Sequence, residues 1–198
     1  APIVFDEGRI YVAIGRDKAY SPRDKKDRGR HIGKGAVTCF DVTGEEPEVV
    51  WRNLDVHRTF CPVSIYDGKV IVADHAGWVT AMDLETGETI WVGDINACIW
   101  NYFQCVGDEK IYVMNERRDF HIFDAHDGTL LYHTLMDYAN NPMVGMTDGI
   151  LVVSTMRSIA GYGGPEYMKT HEPMPVPERR QFDPDSEGKT DSIQAEGH

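Results

Sequence analysis

Residues 67–94 read DGKVIVADHAGWVTAMDLETGETIWVGD, and this stretch decides the fold. The pair Asp67-Gly68 supplies a tight turn before a β-branched run in which apolar side chains alternate with period two. Asp83 to Gly87 predicts a second turn, because an Asp side chain can bond nearby backbone N–H groups and Gly accepts a positive φ. A further strand restarts at Thr89, so the stretch predicts short strands joined by tight turns.

The same pattern recurs along the chain. Residues 108–135, DEKIYVMNERRDFHIFDAHDGTLLYHTL, align with 67–94 without gaps at an offset of 41. An upstream copy is divided between residues 8–12 and 35–51 by an insert of about 18 residues, and a fourth copy begins at 148 and fades after Tyr162. A period near 41 with about four strands predicts a β-propeller blade, whereas a helical repeat would need 3.6-periodic stretches that are not found in the sequence.

We therefore expect an all-β chain of about three and a half four-stranded blades. The blades occupy residues 1–162, with an insert loop at 17–34. An extended, Pro-rich, acidic tail occupies residues 163–198.

A specific motif supports this fold. Ala81 to Trp91, AMDLETGETIW, fits A-x-D-x-x-T-G-x-x-x-W and resembles the tryptophan-docking motif of the quinoprotein (PQQ-like) repeat family. The chain resembles the type that helps outer-membrane barrel assembly rather than the catalytic dehydrogenases. The resemblance implies that the Trp packs between adjacent blades. The predicted structural positions are Asp41, Gly44, Trp51, Ala81, Asp83, Thr86, Gly87, Trp91, Asp124, Gly128 and Tyr132.

Three and a half blades do not close a ring, since closed propellers usually have about four to eight. Open blades leave faces and strand edges exposed. Three arrangements fit: the chain is the C-terminal part of a longer propeller, two copies complete a ring, or a different subunit covers the open side.

Catalytic signatures are absent from the sequence. It has no adjacent Cys pair, no C-x-x-C and no H-E-x-x-H spacing, and its eight histidines predict scattered surface or rim positions. We expect no catalytic residues, no cofactor, no metal site and no enzyme activity. The alternative is a C-terminal fragment of a PQQ-dependent dehydrogenase.

Charge points to a protein partner. The net charge of −12 argues against nucleic acid, and no apolar run approaches the length of a membrane-spanning helix. Residues 16–34 nevertheless carry eight basic and three acidic side chains. A solvated loop is one interpretation, and a docking loop for an acidic partner or anionic lipid is the other. The predicted partner-binding residues are Arg23, Lys25, Lys26, Arg28 and Arg30.

Together these features predict a non-catalytic, protein-binding scaffold. Other protein subunits would be held through open blade edges, the basic loop and the tail. A periplasmic or extracytoplasmic location is expected from the resemblance. A more specific hypothesis is that the chain is a subunit of a membrane-associated assembly engaged in electron transfer or photosynthesis.

Overall fold

The structure is a computed structural model and describes residues 2–15, 33–96, 99, 104–115, 117–136, 143–147, 149–154, 159–164 and 169. Within these residues, fifteen strands form four antiparallel sheets. Each sheet is one blade, and the strands of each blade pair in chain order.

Three blades have four described strands and the fourth has three. Blade one contains β1 (Val4–Asp6), β2 (Arg9–Gly15), β3 (Gly35–Asp41) and β4 (Glu48–Asn53). Blade two contains β5 (Ser64–Tyr66), β6 (Lys69–Ala73), β7 (Trp78–Asp83) and β8 (Thr89–Asp94). Blade three contains β9 (Cys105–Gly107), β10 (Lys110–Met114), β11 (Asp119–Asp124) and β12 (Leu130–Leu135). Blade four contains β13 (Met143–Thr147), β14 (Ile150–Ser154) and β15 (Ile159–Gly163).

Two-residue turns join the first and second strands of blades one to three. The pairs are Glu7-Gly8, Asp67-Gly68 and Asp108-Glu109, and all six residues have positive φ. Positive φ at both central positions defines a type I′ turn, whose twist matches that of the flanking strands. The D-G pair in the sequence therefore indicated a real hairpin.

A bulge keeps one cross-strand pair constant in three blades. Trp51 lies opposite Cys39, Trp91 opposite Ala81 and Tyr132 opposite Ile122. The register shifts immediately after the Cys39, Ala81 and Ile122 positions. Trp51 comes two residues later than the repeat predicts because the β3–β4 turn is longer, yet its place in the sheet is unchanged.

The core lies between blades rather than within one sheet. We call the side of a blade that meets the next blade its front face and the other side its back face. Three apolar clusters fill the junctions between successive blades. The first has Tyr11 and Trp51 of blade one against Val70 and Met82 of blade two. Alternate residues of each inner strand thus serve two different junctions, which is why these strands are apolar on both faces.

The predicted fold class is confirmed: the chain is an all-β propeller segment of about three and a half blades. The described strands of blade four end at Gly163. Beyond it the structure describes only Gly164 and Lys169, so the predicted tail lies largely outside the described residues.

Candidate partner-binding site

Trp51 of blade one packs against blade two and bonds to it. Its indole Nε1 donates a hydrogen bond to the carbonyl oxygen of Leu84 at 3.0 Å. The ring lies over Gly87, where a Cβ atom would come within 2.4 Å of the indole. Gly87 also has a φ of 71°, and its carbonyl accepts a 2.8 Å hydrogen bond from Asn53 Nδ2. The motif glycine is therefore required by both its backbone conformation and the close ring.

Trp91 repeats this arrangement between blades two and three. It lies over Gly128, where a Cβ atom would come within 2.5 Å of the ring, and Ala81 opposite it is fully buried. Its indole Nε1 is buried without a hydrogen-bond partner among the described residues. Trp91 therefore keeps the ring-over-glycine packing of Trp51 but lacks the hydrogen bond that the Trp51 indole makes.

The motif aspartates stabilise the turns between the third and fourth strands of blades one to three. Asp83 Oδ1 accepts backbone hydrogen bonds from Glu85 at 2.9 Å and Thr86 at 2.8 Å. The backbone bond from Thr86 lowers the pKa of Asp83 below its usual value. Asp41 and Asp124 accept backbone bonds in the same way. These carboxylates shape the turns.

Two motif positions differ from the expectation. Gly44 does not adopt the left-handed conformation of Gly87, since the longer turn reaches β4 by another path. Tyr132 is 54% exposed rather than packed between blades. Within the described part of blade four, the glycine with positive φ is Gly149, in the β13–β14 turn. The turn after β15, which would correspond to the turns at Gly87 and Gly128, lies largely outside the described residues.

The basic insert leaves and re-enters the blades at one end of the molecule. We call this the loop end; it carries the connections β2–β3, β4–β5, β6–β7, β8–β9 and β10–β11, and the opposite end is the turn end. The backbone N–H of Gly35 donates to Val56 O at 3.1 Å, and that of Arg58 donates to Gly33 O at 2.9 Å. The C-terminal end of the insert is thus fixed beside the β4–β5 connection, and Gly15, where β2 ends before the insert, pairs with Gly35. Arg23, Lys25, Lys26, Arg28 and Arg30 themselves lie outside the described residues.

A group of polar side chains surrounds this attachment. His57 contacts Asp74 through its backbone N–H at 3.0 Å and its ring Nδ1 at 3.1 Å. The Arg58 guanidinium lies 5.1 Å from the centre of the Phe60 ring, which meets His75 edge-on. An Arg side chain placed over an aromatic face is held in position while its charge stays available to a partner.

A pocket of about 380 Å³ lies further along the loop end, between blades two and three. Its lining includes Asn96, Arg117, Asp119, His121 and His133. His133 Nε2 contacts Asp119 Oδ1 at 2.9 Å. Burial raises the pKa of Asp119, but hydrogen bonds from His133 and the Asn115 side chain outweigh burial and leave it below its usual value.

Two histidines lie together, whereas the sequence predicted scattered surface or rim positions. Pairing of β11 with β12 places His121 opposite His133, with ring centres 4.6 Å apart. Burial, followed by the nearby His133 charge, lowers the pKa of His121. The alternation of β11 could have indicated that His121 faces inward, but the bulge that sets its partner was not visible in the sequence.

The two ends of the blades differ in charge. At the turn end, described acidic residues greatly outnumber basic ones. The acidic residues are Asp6, Glu7, Asp41, Glu45, Glu46, Glu48, Asp67, Asp83, Glu85, Glu88, Asp108, Glu109, Asp124 and Asp127; the basic residues are Arg9, Lys69 and Lys110. At the loop end, Lys34, Arg58, Arg117 and Arg118 balance the described aspartates, and the insert adds an excess of positive charge. Among the described residues, negative charge is thus concentrated at the end of the blades opposite the insert.

The described residues contain no group of three or more His, Cys, Asp or Glu side chains arranged to hold a metal ion. No described helix is long and apolar enough to cross a membrane.

The fold defines the chain as a β-propeller segment built from PQQ-like blades, and the predicted resemblance to that repeat family is confirmed. The chain belongs to the family described as outer membrane protein assembly factor BamB, whose pattern matches residues 33–165. A search of the curated proteins finds no match to this chain.

Solved structures show the same fold. BamB from Moraxella catarrhalis is 17% identical, with a TM-score of 0.53 over 69% of this chain and 44% of that protein. A europium-containing methanol dehydrogenase is 14% identical, with a TM-score of 0.52 over 67% of this chain and 24% of the enzyme. The computationally designed Ika4 protein is 11% identical, with a TM-score of 0.60 over 81% of this chain and 88% of that protein. The chain therefore spans less than half of its natural relatives named here.

Proposed function

We propose that this chain is a non-catalytic, protein-binding propeller that works as a scaffold subunit of a larger assembly. Its loop end would bind the acidic surface of a partner protein. The observation that carries the proposal is the separation of charge along the blades: a basic insert is fixed at one end and acidic turns gather at the other. Such a distribution orients an approaching acidic surface and speeds its encounter with the correct end.

Fixed side chains beside the insert support this docking role. Arg58 is held over Phe60, and the pocket at Arg117 offers a guanidinium, an amide and two imidazoles within one cleft. Guanidinium and imidazole groups can donate hydrogen bonds to an acidic side chain from a partner. Arg23, Lys25, Lys26, Arg28 and Arg30 would supply long-range attraction, and the described residues would supply contacts.

The family description favours one kind of assembly. Because the family is described as an outer membrane protein assembly factor, an assembly that handles membrane proteins is favoured over an electron-transfer or photosynthetic complex. A periplasmic or extracytoplasmic location belongs to the same proposal.

Charge reversal tests the docking surface. The variant Lys25→Glu/Lys26→Glu/Arg28→Glu should lose most partner retention when the immobilised chain is challenged with detergent-solubilised envelope proteins at low salt. The matched control is Arg9→Glu/Lys69→Glu/Lys110→Glu, which makes the same change in net charge at the turn end and should retain the partner. Equal retention by both variants, or equal loss from both, would overturn the role of the loop end.

A second assay tests the non-catalytic part. The intact chain incubated with pyrroloquinoline quinone and Ca²⁺ should show neither quinone absorbance after gel filtration nor dye-linked alcohol oxidation. Stoichiometric quinone with turnover would support the dehydrogenase-fragment alternative.

A further inference from the structure

Two histidines lie at the second junction, where the back face of blade three packs on the front face of blade two. His121 on β11 pairs with His133 on β12, and their ring centres are 4.6 Å apart. The His121 ring stacks on Phe123, with ring planes 7° apart and centres 5.9 Å apart. Phe123 belongs to the apolar cluster that contains Trp91 of blade two. His121 is 6% exposed, so it forms part of the packed surface between the blades.

The same cross-strand pair in the other blades contains no histidine. In blade two the pair is Thr80 and Val92, which lie 41 residues before the two histidines. In blade one the pair is Thr38 and Arg52. A blade of this type therefore forms without imidazoles at these positions. The blade-two residues give a matched replacement that the same backbone already accommodates.

The surroundings of His121 disfavour its charged form. Its Nδ1 is buried without a hydrogen-bond partner among the described residues. Because an imidazolium carries a hydrogen on both ring nitrogens, a charged His121 would leave the Nδ1 hydrogen unsatisfied. A charge on His133 repels it, whereas Asp119, through its side chain and its backbone, and Asp94 on β8 favour it; Arg117 lines the same pocket. Burial is the largest effect and His133 the second, and together they lower the pKa of His121 below its ordinary value.

His133 lies nearer to water than His121. Its side chain is 45% exposed, and its Nε2 lies 2.9 Å from Asp119 Oδ1. An imidazolium at this position would be stabilised by that carboxylate and by solvent, although solvent also screens the pair. A charge on His133 makes a second charge on the neighbouring ring costly while the blades stay packed. His121 can therefore take up a proton readily only when the outer strands of blade three separate from blade two and water reaches its ring.

We propose that the second junction is acid-sensitive: protonation of the histidine pair favours a state in which the outer strands of blade three have separated from blade two. The packed state holds His121 neutral, so the open state binds more protons below the ordinary histidine pKa of about 6.5. The junction is therefore most stable above about pH 6.5 and weakens as the pH falls, by up to about tenfold in the open fraction per pH unit. The inference goes beyond the proposed function and does not depend on it, since it concerns a junction between blades and not the insert.

An NMR titration of the imidazole Cε1–H signals of the intact chain measures the pair directly. The His121 midpoint should lie below that of an ordinary histidine, and it should rise in His133→Val because the repelling charge is removed. The control His126→Gln removes a histidine whose side chain is 53% exposed at the turn end, and should leave the His121 midpoint unchanged. A His121 midpoint at or above about 6.5, or one that His133→Val does not move, would overturn the inference.

Hydrogen exchange at about pH 7.5 and about pH 5.5 measures the opening itself. After correction for intrinsic exchange rates, protection of the β8, β11 and β12 amides should fall about tenfold on acidification of the parent chain. The variant His121→Thr/His133→Val, which carries the blade-two residues, should lose less than about threefold. His57 and His75, near the first junction, are the same in both chains, so the difference isolates the pair.

Equal loss of protection in the parent and the variant, or no loss in the parent, would contradict the proposal. Circular dichroism at both pH values checks that each chain is folded. If the double variant does not fold, His121→Gln takes its place, because glutamine keeps a hydrogen-bonding side chain that cannot be protonated in this range. It should show the same reduced response to acid.

Discussion

The first and third junctions between blades differ in how they are fastened. Between blades one and two, Trp51 packs over Gly87 and donates a hydrogen bond to Leu84 O, while Arg9 Nη2 lies 2.8 Å from Glu85 Oε2. Between blades three and four, Tyr132 takes the tryptophan position and is 54% exposed. Both junctions retain an apolar cluster from the inner strands. The inner strands thus supply apolar contacts at both junctions, and the packing of Trp51 over Gly87 is an additional interaction at the first.

This difference shows that the tryptophan motif is a property of two blades, not one. A Trp on the fourth strand of one blade needs a glycine with positive φ on the next blade. Gly87 and Gly128 meet that need for Trp51 and Trp91. A motif found in a single blade therefore predicts packing only when the following blade supplies the partner turn.

Removing the indole gives the largest expected effect. Trp51→Ala should lower the free energy of unfolding by about 3–5 kcal/mol, because it deletes a buried aromatic side chain and leaves a cavity between blades. Tyr132→Ala, at the equivalent place in the sheet, should change it by less than about 0.5 kcal/mol because an exposed side chain loses little contact. Urea denaturation followed by circular dichroism measures both.

Similar losses from the two variants would contradict the comparison. Trp51→Phe serves as the intermediate variant, since it keeps much of the apolar contact and lacks the donor to Leu84. Its unfolding free energy should fall between those of Trp51→Ala and the parent chain.

Glycine substitutions separate backbone strain from the close indole. Gly87→Ala and Gly149→Ala both place a Cβ atom on a residue with positive φ, 71° and 77° respectively. Left-handed backbone alone costs an alanine about 1–2 kcal/mol. Gly149 has open space around that Cβ, so its variant should show this cost alone, whereas Gly87→Ala must also displace the Trp51 ring. Equal destabilisation by the two variants, measured by urea denaturation, would show that the ring moves aside freely.

The sequence predicted the blades well because each signal for them is local. The pair Asp67-Gly68 selects its turn type within two residues, and Asp83 bonds to N–H groups two and three positions away. The 41-residue period then placed equivalent strands without any long-range information. The packing of Tyr132, by contrast, is not a local property, because its surroundings depend on blade four.

The loop end was only partly predictable. The excess of basic residues in the insert was visible as composition, but the placement of Arg58 over Phe60 depends on the β4–β5 connection folding back. The proximity of His121 and His133 depends on which residues of β11 and β12 pair across a bulge. Contacts of this kind can be predicted only after the register of each sheet is known.

The ion pair across the first junction gives the smallest expected effect. Arg9 and Glu85 join blades one and two, and hydrogen bonding to Glu85 raises the pKa of Arg9, so the guanidinium stays charged throughout the accessible range. The Glu85 side chain is 66% exposed, so water and salt screen the attraction. A double-mutant cycle with Arg9→Gln and Glu85→Gln should therefore give a coupling energy of about 0.2–1 kcal/mol at low salt, falling as salt is added. A larger, salt-insensitive coupling would mean that this pair, rather than Trp51, accounts for much of the difference between the first and third junctions.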